Sequence, residues 1–518
     1  MVHSARVGSA GMLPAPGPRF ALAGCPARRR RAWVFPDDNN PGGPHCKSNP
    51  MLGTRKGTAP QILPLFAGRS LYNLRRTMAL NPTLVKSSGV AALGGLLFGF
   101  DTAVISGTTR SLTEVYHLSP GLLGVTVTSA LVGTIFGSML AGLPGDRFGR
   151  RDSLRVLAIL YLVSSLGCAF AWNWDALVLF RFVGGLGIGG SSVLGPMYIA
   201  ELAPAKFRGR LVGLFQFNVV LGILLAYFSN YLVGLAHFGA DEWRWKFAVP
   251  AVPAALFFLL LFGIPRSPRW LVKKKRVEEA REVLRTIGEE NYEEELQDIV
   301  QSIDTEHASS DALFSWKYRV PIFLAVSIGM FNQLSGINAI LYYINDIFIA
   351  AGFSKVSGDL QAVAIGATNL LFTMIAMSVI DKIGRKTLLL VGSVGTATCL
   401  GGVAYVFFTH QHQGLLVWLL VGFIAFFAFS QGAVIWVYIG EVFPNQVRAK
   451  GQSLGSFSHW FMNGVISLIF PLVAHSSGAY PFVFFSAMMV VQLIVVAAFY
   501  PETKNVSLEQ MQRKLGIA

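Results

Sequence analysis

The sequence predicts an all-α membrane protein: twelve transmembrane helices in two six-helix halves, with amphipathic helices between the halves. Three observations carry that class. Apolar runs of about 20 residues recur from near Val90 to Tyr500, each long enough to cross a ~30 Å hydrocarbon core. Only 14% of the 518 residues are charged and the mean hydropathy is +0.51, where a soluble chain carries roughly 25% charge. Finally, motifs return in one order at nearly one period. Asp146 of DRFGRR precedes Asp381 of DKIGRK by 235 residues, Glu201 precedes Glu441 by 240, and Pro265 precedes Pro501 by 236.

Residues 1–84 form a basic tail rich in Arg, Ala, Pro and Gly (ARRRRAWVF, NNPGGPH), with few acids and no apolar periodicity. Two readings of it stand. It is an organellar transit peptide, which would put the protein in an organellar envelope, or it is upstream sequence before a start at Met78. The first half, 85–264, holds apolar runs near 88–109, 121–143, 153–172, 175–199, 209–235 and 246–264. The linker 265–319 contains VEEAREVLRTIGEENYEEELQDIVQSI, whose apolar residues recur at helical spacing between charges. That pattern predicts amphipathic helices lying outside the bilayer. The second half, 320–500, holds runs at 320–350, 359–380, 386–409, 414–439, 451–474 and 480–500, and a tail of 501–518 follows.

The loops orient the spans. GDRFGRRDSLR, APAKFRGR, RSPRWLVKKKRVEEAR, DKIGRK and PNQVRAK are basic and fall in alternate loops. YHLSPG, HFGADEW and THQHQG, on the other side, carry little positive charge. The asymmetry predicts that both termini and the basic loops are cytoplasmic, in a plasma or inner membrane. The net charge of +15 is accounted for by these loops, so nucleic acid is not implied. Four cysteines, two in the tail and two in apolar runs, make no disulfide framework. GGLGIGG (184–190) lies within a span with no strand before it, so close helix packing explains it better than a nucleotide loop. His410 and His412 lack further metal ligands, and no nucleophile–base constellation is present. Neither enzyme activity, a metal nor a cofactor is expected.

One acid stands apart. Asp101 of FGFDTAVISG lies 15 residues past Lys86, roughly 22 Å along a helix, and nine before Arg110, roughly 13 Å. It is too deep to snorkel, and an ionised group there needs a partner or a wet cavity. Arg181 is six residues into its span from Asp175, roughly 9 Å deep from the same side, and is the candidate partner.

Duplicated halves are the plan of secondary transporters with a central binding site. The two D-[RK]-x-G-R-[RK] loops, PMYIAELAP…RGR, QLSGINAILYY and PETK resemble the sugar porter branch of the major facilitator superfamily, over about 80–510. The resemblance implies a monosaccharide carried across a lipid bilayer by alternating access, a proton as co-substrate, and a monomer as the working unit. It gives Asp101 and Arg181 the role of a proton-coupling pair. Separating the arginine from the acid on rocking would ease protonation, linking the proton to the access state. A static ion pair joining two helices is the alternative.

For the sugar, the resemblance implies Phe98, Gln216, Asn332, Gln333, Asn338, Asn369, Trp436, Trp460 and Asn463; Gly336 permits a local break in the seventh span, with a gate at Tyr342 and Tyr343 beyond it. Amides donate to and accept from hydroxyls, and an indole face packs on the ring's CH groups. Interhelical hydrogen bonding is the competing use of any one amide. Three positions depart from the common pattern: Asn332 for a glutamine, His459 for an amide, and Ile223 as in glucose-carrying members, where xylose-carrying ones have glutamine. Ile223 leads to an expected hexose preference.

The resemblance also implies a cytoplasmic gate network of Asp146, Arg150, Arg151, Glu201, Arg208, Asp381, Arg385, Glu441, Arg448 and Glu502 that latches one access state. Loop charge that only sets topology is its alternative. Arg266 stands where a glutamate is usual, and Pro250 where some symporters carry a second acid. Uniport of the same sugars, polyol transport and non-transporting sugar sensing remain open alternatives to symport.

Overall fold

The computed structural model describes residues 81–306 and 312–517, apart from Ala205, Glu290, Asn445 and Ser507. All of these belong to one compact unit, Leu74–Ala518. The basic tail lies outside the described residues, apart from its last four positions. Among the described residues, twelve helices are long and apolar enough to span a membrane: Pro82–Gly107, Pro120–Leu140, Arg150–Ala169, Trp174–Leu202, Arg208–Leu235, Gly239–Gly263, Trp316–Tyr342, Lys355–Ile383, Arg385–Thr409, Leu415–Val442, Arg448–Ser476 and Tyr480–Phe499. They are called the first to twelfth spans below.

Several starts are set by local chemistry. Asn81 accepts a hydrogen bond from Thr83 N, with Pro82 at the first helical position, so the first span opens six residues before its apolar run. Ser119 with Pro120, Asn173 and Ser354 cap the second, fourth and eighth spans in the same way. The sixth span begins seven residues earlier than its apolar run, because Glu242 and Lys246 are buried in it rather than held in a loop.

Two spans read as single apolar runs are broken. The seventh divides into Arg319–Leu334, Ile337–Tyr342 and Ile344–Ala350. Gly336 makes the first break with φ of 79°, and a Cβ there would strike the Phe485 ring. Ser335 Oγ binds Asn332 O at 2.6 Å and accepts from Ile337 N at 3.3 Å, satisfying backbone groups that the break frees. The tenth divides at Ser430 into Leu415–Phe429 and Gln431–Val442.

Between the sixth and seventh spans lie the helices Pro268–Lys273, Val277–Thr286 and Tyr292–Glu306. Ala280, Leu284, Leu296 and Ile299 turn inward and join Trp270 and Leu271 in the apolar cluster of the first six spans. The amphipathic reading of this segment is therefore met by packing.

The duplication recurs in detail. Tyr198 donates to Pro265 O at 2.7 Å, and Tyr438 donates to Pro501 O at 3.2 Å. Arg208 Nε donates to Ala203 O and Arg448 Nε to Phe443 O, both at 3.4 Å.

The core has three parts whose distribution differs between the two ends. At the end carrying the basic loops, the first six and last six spans each have their own apolar cluster, around Tyr198 and around Tyr438. At the opposite, distal end one cluster runs through both, joining Phe100, Tyr227 and Trp243 to Ile340, Tyr343, Phe423 and Phe485. The halves are packed together distally and packed separately at the basic end.

The glycine run 184–190 packs the fourth span against its neighbours. A Cβ at Gly185 would strike Ala130 O of the second span, and at Gly189 Thr134 O. Gly185→Leu is expected to lower the thermal midpoint in detergent, since overpacking costs about 1–3 kcal/mol. Gly89→Leu, with nothing within 4 Å of the new Cβ, is expected to leave it unchanged. Equal midpoints in the two variants would contradict the packing role.

Candidate functional site: a central polar cavity and a buried ion pair

A cavity of about 130 Å³ lies between the halves. Its wall includes Phe98, Gln216, Ile223, Asn332, Gln333, Asn338, Tyr342, Asn369, Trp436, His459 and Trp460, drawn from the first, fifth, seventh, eighth, tenth and eleventh spans. Thr102, Thr373 and Gly432 also line it and carry no sequence signal of their own. Among the expected sugar residues, Asn463 is the exception. It is fully buried behind the wall, donating to Tyr342 Oη at 3.2 Å and accepting from Ser467 Oγ at 3.1 Å. It supports Tyr342 and does not line the cavity. Tyr343 is likewise held away, its hydroxyl on Ser467 O at 3.0 Å and its ring stacked on Phe470.

The break at Gly336 makes the amide cluster possible. Asn332 and Gln333 end one helix segment while Asn338 opens the next, so three amides converge within six residues. Asn338 Nδ2 donates to Gln333 Oε1 at 3.1 Å, and Gln333 Nε2 donates to Asn332 Oδ1 at 3.1 Å. The same Nε2 lies 3.2 Å and 3.3 Å from the two ring nitrogens of His459. His459 in turn packs edge-on to Trp460 and 5.1 Å from the Trp436 ring, while Phe98 closes on Trp460 at 5.6 Å. The cavity thus offers aromatic faces beside a polarised amide chain.

Asp101 and Arg181 meet as their depths require. Arg181 Nη1 lies 3.6 Å from Asp101 Oδ1, with the arginine side chain 3% exposed and the acid 17%. The approach is too long for a hydrogen bond. Arg181 Nε and Nη1 have no hydrogen-bond partner, and the guanidinium stands over the Phe247 ring at 5.7 Å. Two cavities, each about the size of one water, touch Asp101. One is walled by Phe98, Tyr342 and Trp460, which also wall the central cavity. The other is walled by Cys168, Phe247 and Pro250, so the proline does lie beside this carboxylate.

The charges at the basic end form one set per half. Arg150 pairs with Glu201 at 3.0 Å and Asp146 at 3.0 Å; Arg385 pairs with Glu441 at 2.8 Å and Asp381 at 2.9 Å. These pairs stay within one half. Arg151 does not reach Glu201 but pairs with Asp152, which also takes Arg155 and Arg266. Asp152 is a residue that the sequence reading missed, although three arginines depend on it. Glu201 is completed instead by Ser267 Oγ at 2.5 Å. In the other half Glu502 accepts backbone N–H groups from Arg385, Lys386, Thr503 and Lys504. Arg266 offers no counterpart to that carboxylate.

Partial burial raises the Glu502 carboxyl, but the four N–H donors outweigh it and hold it below the usual glutamate value of 4.5. A lowered value stabilises the fold above the ordinary carboxyl range, and the stabilisation is lost as pH falls through it. The thermal midpoint of the parent protein is therefore expected to fall more steeply below about pH 5 than that of Glu502→Gln. Parallel pH profiles would contradict this.

The family model described as "Sugar (and other) transporter" matches residues 88–515. The D-xylose-proton symporter of Escherichia coli K12 is 38% identical over 462 residues, covering 82% of this chain and 94% of that one. The arabinose-proton symporter of Bacillus subtilis is 38% identical over 434 residues, with the same coverage. A glucose transport protein of Synechocystis is 35% identical over 449 residues, covering 82% and 96%. Among solved structures, the inward-open Escherichia coli xylose transporter superposes with a TM-score of 0.74 at 36% identity, covering 82% and 98%. The same transporter bound to 6-bromo-6-deoxy-D-glucose gives 0.69 at 35%, covering 84% and 99%.

Proposed function

Because the chain belongs to the sugar (and other) transporter family, we propose that it carries a monosaccharide by alternating access, in symport with protons. The observation that carries the coupling is the loose Asp101–Arg181 pair, 3.6 Å apart, in a pocket that shares Phe98, Thr102, Tyr342 and Trp460 with the wall of the central cavity. Sugar in that cavity would press on Phe98, Tyr342 and Trp460, which also bound the space in front of the carboxylate. Protonation of Asp101 removes one buried charge and loosens its hold on the fourth span. The amide chain Asn338–Gln333–Asn332, with Gln216 and Asn369, binds hydroxyls, and the Trp436 and Trp460 faces take the CH side of the ring.

The expected hexose preference finds no support in the relatives, two of which are named for pentoses and one for glucose. The substrate proposed is thus an aldopyranose, with Ile223 as the position deciding between the two sizes. The basic end is proposed as cytoplasmic, in a plasma or inner membrane, with the monomer as the working unit. The Arg150 and Arg385 sets are proposed as the halves' contributions to a gate closing on that side.

Proteoliposomes test the coupling. With one proton per sugar, a one-unit inward proton gradient supports about tenfold accumulation. Asp101→Asn is expected to bring the accumulation ratio to about 1 while sugar exchange continues. Equilibration without accumulation by the parent protein would identify a uniporter instead.

Ile223→Gln adds a hydroxyl partner worth about 1 kcal/mol. It is expected to raise pentose uptake relative to hexose roughly fivefold in a competition panel. An unchanged ratio would remove Ile223 from the specificity determinants.

A further inference from the structure

The distal end holds a group of charges that alternating access, as read above, does not yet use. Glu242 and Lys246 lie one turn apart at the start of the sixth span, and Lys355 and Asp359 one turn apart at the start of the eighth. Two ion pairs cross between the halves: Lys355 Nζ to Glu242 Oε2 at 2.8 Å, and Lys246 Nζ to Asp359 Oδ2 at 3.9 Å. The Lys246 side chain is fully buried and those of Asp359 and Glu242 are 1% and 8% exposed. Lys246 Nζ also donates to Gly107 O at 2.9 Å and pairs with Glu242 Oε1 at 2.6 Å. Asn345 donates to the second oxygen of Asp359.

Parting a buried ion pair normally leaves one uncompensated charge on each face, which is why such pairs resist opening. Here each half carries one acid and one base at i, i+4 spacing. If the distal mouth opens, Glu242 keeps Lys246 and Asp359 has Lys355 within reach on its own helix. Both faces therefore remain neutral in either state. We propose that Glu242, Lys246, Lys355 and Asp359 form an exchangeable latch that holds the distal mouth closed. Its cross-half pairs are given up for same-helix pairs when the mouth opens. The proposal rests on the alternating-access reading but on no particular substrate.

The test reverses the charges one half at a time. Glu242→Lys with Lys246→Glu keeps the sixth span's own pair, yet sets like charge against like across the interface. Lys355→Asp with Asp359→Lys does the same from the eighth span. Spin labels at Ala240 and Val356, both exposed and outside the cluster, report the distal gap by pulsed dipolar spectroscopy. The background has the four native cysteines replaced by serine, and sugar is omitted.

Each half-reversal is expected to lower the closed population by about tenfold, since like charges facing each other are strongly disfavoured. Combining the four substitutions restores complementarity and is expected to return the parent distance distribution. Half-reversals that leave the distribution unchanged would overturn the latch, and so would a combined variant that stays open. The distances need no transport, so the substrate reading fails or survives separately in the uptake assay.

Discussion

A charge inside a lipid-spanning fold must be neutralised by the fold or face water, and this constraint organises the molecule. Buried charges cost several kcal/mol each when left alone. The solutions differ by position. At the basic end, Arg150 and Arg385 are 9% exposed and each has two carboxylates and a backbone carbonyl within reach. At the distal end Lys246, with no exposed side-chain area, is held by an acid of its own helix and a carbonyl of the first span. The Asp101–Arg181 pair is looser than the Arg150 and Arg385 pairs, 3.6 Å apart with Nε and Nη1 of the guanidinium unpartnered. In the proposed symport, slack at this pair is what would keep the cost of protonating Asp101 adjustable.

Duplication explains why the basic end works in two sets, and its imperfections show where each half found its own answer. Glu502 gathers four backbone N–H groups, two at the start of the ninth span and two from its own segment. The matching position in the first half is Arg266, which cannot accept them. Charge balance there shifts to Asp152, shared by Arg151, Arg155 and Arg266, and to Ser267 on Glu201. The same corner is therefore held by one carboxylate reading backbone in one half and one reading guanidinium in the other.

How far the sequence reached follows from which forces are local. Span existence was legible because hydrocarbon thickness imposes a run length, and the repeat was legible because motifs return at one period. The Asp101–Arg181 meeting followed from depth counting along two straight helices. The wall of the cavity was legible through the family resemblance, apart from Asn463, whose amide is taken up by Tyr342 and Ser467 behind the wall. The break at Gly336 was legible from the glycine itself, whereas the break at Ser430 was not, because its run stays apolar across it. Asp152 and the Glu242–Lys355 pair were missed for a different reason. The contacts that give them their weight, Arg266 to Asp152 and Lys355 to Glu242, span 114 and 113 residues, and the local pairs of Asp152 with Arg151 and Arg155 do not reveal them.

The two ends of the molecule are bound by opposite means, and that asymmetry suits the proposed alternation between two states. Distally the halves share one apolar cluster and cross-half ion pairs. At the basic end each half packs its own core and closes its main ion pairs on itself. Parting the distal cluster would expose apolar surface, so something must compensate for it at the other end. In this arrangement the sets around Arg150 and Arg385 are paired within each half, so the gate proposed for them compensates only as far as partners are exchanged across the halves. The rest of the compensation comes from apolar contact there and from whatever fills the central cavity. A ligand held by amides of the seventh span and indoles of the tenth and eleventh can supply it, because those groups face the first half across the cavity. Binding energy and the balance between the two ends are in this way one quantity.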